Sequence, residues 1–308
     1  MFGKQALLAG MGPLAVVAVR TAGATGLLML GMLVFERRYL YIYPVGLLGC
    51  LLAGGLNGVG SLLYYGALAR IDASLGQLLY SMYPLFVALL LYLDGQRYSR
   101  ATLVRLAVSL LAVYLLSATS SGRPDLTGIV LMLGASLLYA LHIPINQRVL
   151  YEAPAPTVTL YTLMAMTVVV VPVYALLSPV HSPAPQGALL PILCLTAVTF
   201  LSRLTLFAGV KLIGGLETTL VGLGELLVTL LLAFFWLGET LTVVQWIGAG
   251  LLGASLLTGS GGPGLPPSPS LRRGWLHWLV PPMPTWDQGE APLTAPDEGE
   301  RATDRPIE

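Results

Sequence analysis

Three ionisable side chains fall inside long apolar stretches of this sequence. Glu225, Arg20 and Arg203 are each surrounded by runs of Leu, Val, Ala and Gly. A charge at the centre of a membrane costs about 2.5–3.5 kcal/mol on insertion scales, so each of these residues is a candidate for binding or proton chemistry. Glu225 lies roughly 10 Å into its apolar run, too deep for its short side chain to reach the lipid headgroups.

The role of Glu225 has two interpretations. It shares a face at helical spacing with Thr218, Gly222 and Thr229. Such a face is typical of a helix that lines a cavity, where the carboxylate could take up a proton or bind a substrate ammonium. Alternatively, Glu225 is a structural partner of Arg20 or Arg203. The long stem of Arg203 could also snorkel along its helix to the interface, an explanation that suits Arg20 less well.

Uncharged polar residues share one face in several other segments. They are Asn57, Ser61 and Tyr64 or Tyr65; Gln77, Tyr80, Ser81 and Pro84; His142 and Asn146, one turn apart around Pro144; and Thr196 and Thr199, which align with Arg203. Because polar groups that face lipid go unsatisfied, these faces together predict a shared hydrophilic cavity. For a single Ser or Thr, a hydrogen bond between helices is the alternative. His142 could shuttle protons or could simply be a buried, hydrogen-bonded residue.

The composition indicates a membrane protein. Of 308 residues, 56% are hydrophobic and 10% are charged, and the mean hydropathy is +0.79, whereas soluble domains are roughly 25% charged. Residues 1–260 hold 12 Lys and Arg with 8 Asp and Glu, and residues 261–308 hold 4 and 7. Neither part has the basic excess of a nucleic-acid-binding surface. Cys50 and Cys194 lie in apolar runs and indicate neither a disulfide framework nor a metal site, and no cofactor is predicted.

Charged, Pro and Gly positions divide the apolar sequence into nine lengths that could each cross a bilayer, which needs about 20 residues of helix. The predicted spans are 12–35, 44–66, 75–93, 102–120, 127–147, 156–178, 188–210, 218–236 and 242–259. Their short connections favour antiparallel neighbours. We therefore expect an all-α polytopic membrane protein with about nine transmembrane helices.

Basic residues are distributed unevenly between the two sides of these spans. Loops after odd-numbered spans, with the near part of the tail, hold eight, namely Arg37, Arg38, Arg97, Arg100, Arg148, Lys211, Arg272 and Arg273, and the other side holds three, namely Lys4, Arg70 and Arg123. Basic loops stay cytoplasmic. The count predicts a cytoplasmic C-terminus, an external N-terminus and an integral protein of the plasma (inner) membrane.

Two segments, 68–96 and 209–239, share one plan of a basic residue, an apolar run and a Gly followed by Gln or Glu. Arg70 pairs with Lys211 in this plan, and Gly95 pairs with Gly238. The copies form the third and eighth predicted spans, so they cross the membrane in opposite directions. Inverted repeats of this kind are typical of secondary transporters, with the substrate site at the repeat interface near the midplane.

Three stretches carry a family resemblance: YYGALARIDASLGQLLYSMYPLFVALL, LGETLTVVQWIGAGLLGASLL and AVRTAGATGLLML. Over most of residues 5–259 the chain resembles EamA-type transporters of the drug/metabolite transporter superfamily. The resemblance implies ten helices in two inverted five-helix halves, both termini cytoplasmic, and export or exchange of small metabolites through a central cavity. It assigns 1–120 to the first repeat and 127–259 to the second.

The sequence departs from the family pattern in three places. MFGKQALLAGMG resembles only the end of the family's first helix, so an incomplete 4+5 arrangement is expected, from a late start codon or a truncation. The family's Glu-Pro reads Glu225-Leu226, which is expected to remove a kink, and Gln96 replaces an expected Glu.

The tail, 260–308, is rich in Pro and charge and is expected to be disordered in the cytoplasm. Within it, a cluster of bases and aromatics could lie on the anionic inner leaflet or could be incidental: Arg272, Arg273, Trp275 and Trp278.

The favoured function is a secondary-active exporter of small metabolites, such as amino acid derivatives, that works by alternating access. The sequence holds no GxxxxGK[ST], so an ion gradient, such as protons, or a substrate gradient would supply the energy. A membrane-embedded enzyme is the less favoured alternative, since no HExxH, GxSxG or paired intramembrane carboxylates occur. A non-transporting scaffold or receptor is excluded by no motif. The expected partners are a small-molecule substrate and the lipid bilayer, and nothing indicates the oligomeric state.

Overall fold

The apolar runs of the chain form helices throughout the part described by the structure, a computed structural model that covers residues 11–71, 73–117, 125–177, 187, 189–237, 242–258 and 274–279. The helices are α1 (Pro13–Phe35), α2 (Pro44–Leu68), α3 (Ala73–Tyr80), α4 (Tyr83–Leu93), α5 (Arg100–Ser117), α6 (Leu126–Leu150), α7 (Ala155–Leu177), α8 (Leu189–Ile213), α9 (Gly215–Gly222), α10 (Gly224–Leu237) and α11 (Val243–Leu257). Two short 3₁₀ turns cover Arg37–Leu40 and His277–Leu279. The predicted all-α class is confirmed.

Within the described ranges, each of the nine predicted spans corresponds to helix, but two of them are broken. Among the described residues, six stretches are long and apolar enough to cross a membrane: Pro13–Phe35, Pro44–Leu68, Leu75–Leu93, Leu126–Leu150, Ala155–Leu177 and Leu189–Ile213. Helix α11 is apolar but shorter, with 15 residues. Helix α5 carries Arg100 and Arg105.

The first break separates α3 from α4 at Ser81 and Met82. Pro84 stands at the start of α4 and has no N–H, so it cannot donate to the carbonyl of Tyr80 one turn earlier. The Ser136 hydroxyl on α6 donates to this free carbonyl oxygen over 2.9 Å. A residue of the second half therefore caps the broken helix of the first.

The second break separates α9 from α10 at Leu223, between Gly222 and Gly224. Leu226 stands where the family has proline, and the helix is interrupted three residues earlier, at Leu223; the expected loss of a kink stays a prediction. Glycine is about 1 kcal/mol less favourable than alanine inside a helix, and two glycines here weaken the same turn. The Thr219 carbonyl oxygen accepts from the Leu223 N–H over 3.3 Å and also from the Tyr83 hydroxyl over 3.1 Å, so a residue of the first half contacts the backbone beside the second break.

Glycines of α2 let it pack closely on α6 and α7. A Cβ at Gly54 would overlap the Thr162 carbonyl oxygen, and one at Gly58 would lie 2.9 Å from the Cβ of Val169. Gly55 has nothing within 4 Å of a built Cβ. Small residues commonly allow such contact between membrane helices, and here Gly54 and Gly58 have that role while Gly55 does not.

Ion pairs, one buried and one partly exposed, join the two halves at one end of the bundle. Arg148 Nε donates to Asp94 Oδ2 over 2.8 Å, with both side chains 2% exposed. Arg105 Nη1 lies 2.6 Å from Glu217 Oε2. We call this the Asp94 end. Burial and the nearby Asp94 carboxylate raise the pKa of Tyr98, in the loop before α5, so its phenol stays protonated.

The segment 274–279 packs on the Asp94 end, which differs from the expectation of a tail disordered along its whole length. Its Leu276 N–H donates to Asp94 Oδ1 over 3.2 Å. Leu276 and Leu279 are buried against Ala53 and Ile145. Gly274 has φ +98° and adjoins Asp94 so closely that a Cβ would overlap its carboxylate.

Several predicted features lie outside the described residues. They are the segment 1–10 with Lys4, the tail residues 259–273 and 280–308 with Arg272 and Arg273, and the positions Arg123 and Gly238.

Candidate functional site

A polar cavity of about 550 Å³ lies beside both helix breaks. Its polar lining consists of Arg20, Tyr80, Tyr83, Tyr139, Thr199, Ser202, Arg203, Thr205, Thr218, Thr219 and Glu225. A second hollow of about 310 Å³ shares Arg20, Tyr80, Tyr139, Arg203 and Glu225 with the first. The five shared residues make the two hollows one site.

The three ionisable residues singled out in the sequence all line this site. Arg20 comes from α1, Arg203 from α8 and Glu225 from the first turn of α10. Glu225 is exposed to the cavity, whereas both arginines are half-buried. In the described part of the chain, no ion pair within 4.0 Å joins Glu225 to either arginine. The geometry therefore favours three separate cavity charges over the structural pairing.

Arg203 turns toward the cavity. Its Cζ lies 5.9 Å from the ring centroid of Tyr139, within the range of a cation–π contact. Arg20 Nε is buried and has no hydrogen-bond partner among the residues that the structure describes. These positions do not match the snorkelling interpretation of Arg203, since its guanidinium lines the cavity.

Tyrosines form the wall between the two hollows. The ring centroids of Tyr80 and Tyr139 are 5.5 Å apart, and those of Tyr83 and Tyr139 are 5.0 Å apart. Tyr64 on α2 joins this wall at 5.0 Å from Tyr80. Such edge and tilted contacts between rings make a rigid surface that carries hydroxyl groups.

The polar residues of α2, α3 and α4 have different positions. Asn57 lines the second hollow with Tyr64. Gln77 donates to the Ser81 hydroxyl over 3.3 Å beside the first break, and neither side chain lines the cavity. Pro84 is buried at the start of α4, where it causes the break.

His142 and Asn146 lie behind the tyrosine wall and do not line either hollow. His142 is fully buried, its ring is 4.6 Å from that of Tyr139, and its Nδ1 contacts the Tyr139 carbonyl oxygen. Asn146 Oδ1 accepts a hydrogen bond from Thr162 over 3.1 Å. In this conformation both residues support helices instead of facing the cavity.

Two groups of residues are not among those predicted from the sequence. Arg105 is an ionisable residue within a predicted span, so the criterion that selected Arg20 would also have selected it. Tyr83 and Tyr139 were missed because an aromatic residue in an apolar run has no polar periodicity of its own. Their spacing, three residues from Tyr80 and from His142 respectively, places each on a polar face.

The family comparison rests on both parts of the chain. The EamA-like transporter family profile matches residues 1–118 and 126–259. The chain belongs to the EamA-like transporter family. An uncharacterized transporter of Archaeoglobus fulgidus is 26% identical over 196 residues, which cover 63% of this chain and 69% of that protein.

A solved crystal structure supports the fold of this EamA-family protein. It superposes with a TM-score of 0.67 at 17% identity and covers 83% of this chain and 93% of its own. Family, relative and apolar helices together identify an integral membrane transporter that moves a small molecule across a lipid bilayer. They point to a transporter rather than an enzyme.

Proposed function

We propose that this EamA-family protein is a secondary-active exporter of small metabolites such as amino acid derivatives, and that it works by alternating access through the central cavity. The observation that carries the proposal is the pair of helix breaks. Met82 lies 12 residues after Arg70, and Leu223 lies 12 residues after Lys211. Helices interrupted at corresponding positions of two inverted halves are the usual sign of a transporter's substrate site.

The cavity at these breaks also supports coupling to protons. Glu225 directly follows the second break, is exposed to the cavity and forms no ion pair in the described ranges. A carboxylate that lines a water-accessible cavity within a membrane can take up and release a proton as the cavity changes sides. Energy then comes from an ion gradient, in keeping with the absence of an ATP-binding motif.

The orientation belongs to the same proposal. The basic loops put the C-terminus in the cytoplasm of a cell whose plasma (inner) membrane holds the protein. In that orientation the Asp94 end is cytoplasmic. Its ion pairs between the halves, Asp94 with Arg148 and Arg105 with Glu217, then close the cytoplasmic side.

Metabolite profiling of the medium tests the proposal. Cells would express the wild type, Glu225→Gln, Glu36→Gln or no transporter, with membrane insertion checked for each. Glu36 is the matched control, because its carboxylate is exposed and pairs with Arg38 outside the cavity. We expect a compound to accumulate around cells with wild type or Glu36→Gln and not around the other two. Identical media in all four cultures would contradict export and favour an importer, a scaffold or a receptor.

A further inference from the structure

We infer that the cavity binds a small organic anion, with its acidic group between Arg20 and Arg203 and its apolar body against the tyrosines. The inference rests on the proposed transport function, because it names the class of molecule that the protein carries. Three observations support it: the excess of positive charge in the cavity, the position of both arginines in its lining, and the apolar surface of the remaining wall.

The charges that line the site do not balance. Arg20 and Arg203 contribute two positive charges and Glu225 contributes at most one negative charge. None of the four ion pairs found in the described residues involves any of the three. Arg20 Nε is buried and has no hydrogen-bond partner among the described residues, and a buried ion is costly to leave unpaired. A ligand of net negative charge would supply the missing partner.

Arg20 of α1 and Arg203 of α8 each line both hollows. The two helices lie side by side, and Gly23 of α1 is in close contact with Thr196 of α8. A guanidinium has five N–H donors in a planar fork that matches a carboxylate or phosphate, so two of them make a site for one acidic group.

The remaining wall is suited to an apolar body. The Tyr83 hydroxyl is occupied by the Thr219 carbonyl, which leaves ring surface as its contribution. Leu195, Val198 and Leu206 complete the same cavity. Its volume of about 550 Å³ lies within the range of roughly 300–1,000 Å³ that small-molecule sites occupy.

Three probes with one carbon skeleton test the charge requirement. They are 3-phenylpropionate as the anion, 3-phenylpropanol as the neutral molecule and 3-phenylpropylamine as the cation. Their dissociation constants would be measured by titration calorimetry on the full chain in nanodiscs of neutral phosphatidylcholine. We expect the anion to bind at least about tenfold more tightly than the alcohol, since a hydrogen bond to a charged group contributes about 1.5–3 kcal/mol.

Substitutions assign this preference to the arginines. Arg20→Gln and Arg203→Gln should each weaken binding of the anion about tenfold or more and leave the affinity for the alcohol unchanged. Arg203→Lys keeps the charge and should retain most of the preference. Arg70→Gln is the matched control, because that arginine is exposed and pairs with Asp125 away from the cavity. An unaltered alcohol affinity in the glutamine variants also shows that they fold.

The outcomes separate this inference from the transport proposal. Equal or tighter binding of the amine or the alcohol, no binding of any probe, or an anion preference that survives both glutamine substitutions would overturn it. Arginine-dependent binding without flux into proteoliposomes would support the anion site and contradict transport. Flux of the amine alone would support transport and contradict the anion site. Competition by phosphatidylglycerol would support the same anion chemistry and identify a lipid headgroup as its source.

Discussion

A charge inside this helical bundle is accommodated either by a protein partner or by the cavity. Asp94 and Arg148 are buried and paired, and Leu276 adds a third hydrogen-bonding group to them. Arg203 and Glu225 instead face the cavity, with no ion pair in the described residues. The first arrangement stabilises one conformation, whereas the second leaves charge available for a ligand.

We expect Asp94→Asn to destabilise the protein far more than Asp125→Asn. The first substitution removes the buried carboxylate that pairs with Arg148, and breaking a buried ion pair costs about 3–5 kcal/mol. Asp125 pairs with Arg70 at an exposed site, where a pair contributes about 1 kcal/mol or less. Thermal unfolding of both variants in the same detergent measures the difference. Equal shifts in Tm would show that the Asp94 pair contributes no more than a surface pair.

The cavity charges could be predicted from the sequence, and their partners could not. Arg20, Arg203 and Glu225 could be identified because an ionisable residue inside a membrane span costs free energy and therefore usually has a function. Whether Glu225 pairs with an arginine depends on how α8 and α10 are oriented, which the sequence leaves open. Tyr139 was missed for a related reason, because only packing shows which face of a helix an aromatic ring occupies.

At the scale of helices, two adjacent glycines of α2 should respond in opposite ways to alanine. A methyl group at Gly54 meets backbone of α7, so Gly54→Ala should destabilise the protein by about 1–3 kcal/mol. Gly55 faces open space, so Gly55→Ala should be neutral or stabilising by up to about 1 kcal/mol. The unfolding temperatures of the two variants, each compared with the wild type, test this difference. A loss of stability at Gly55 that matches the loss at Gly54 would contradict the packing described here.

The cap on the second helix break should also be measurable. Tyr83→Phe removes the hydroxyl that donates to Thr219, and we expect a loss of about 0.5–1.5 kcal/mol, the usual net contribution of one hydrogen bond. Tyr92→Phe on the same helix is the control, because Tyr92 is exposed. Unfolding temperatures report the effect. No difference between the two variants would mean that the Thr219 carbonyl needs no cap.

The docked segment 274–279 gives a prediction of its own. Leu276→Gln places an amide in a fully buried apolar site, whereas His277→Gln changes an exposed neighbour. We expect the first variant to release the segment and the second to leave it docked. Trypsin cleavage after Arg272 and Arg273, followed by mass spectrometry, should be faster only for Leu276→Gln. Equal rates for both variants and the wild type would show that docking does not protect this site.

Helix positions were largely predictable, because the length and apolar character of a membrane span are local properties. The breaks were not. The polar face that Pro84 shares with Tyr80 and Ser81 does not predict a break, and Leu226 in place of a proline does not predict the second one. The Tyr83 hydroxyl that donates to the Thr219 carbonyl beside the second break is a contact across 136 residues of sequence, which no local pattern contains.

For the whole molecule, the distribution of basic residues predicts which way the protein lies in the membrane. Green fluorescent protein fused to the C-terminus of the full chain should fluoresce, and alkaline phosphatase at the same position should be inactive, because the first requires the cytoplasm and the second the other side. The reverse pattern would overturn the orientation and place the Asp94 end outside.

The exchanged caps at the two helix breaks also bear on biogenesis. Ser136 follows Tyr80 by 56 residues. The Tyr80 carbonyl at the first break therefore has no Ser136 hydroxyl to bond until the ribosome has made part of the second half. The second break is different, since Tyr83 is already inserted when Thr219 is synthesised. Tyr83 is therefore already in the bilayer when the backbone that it contacts is synthesised, so a substitution at Tyr83 affects a helix that is made later.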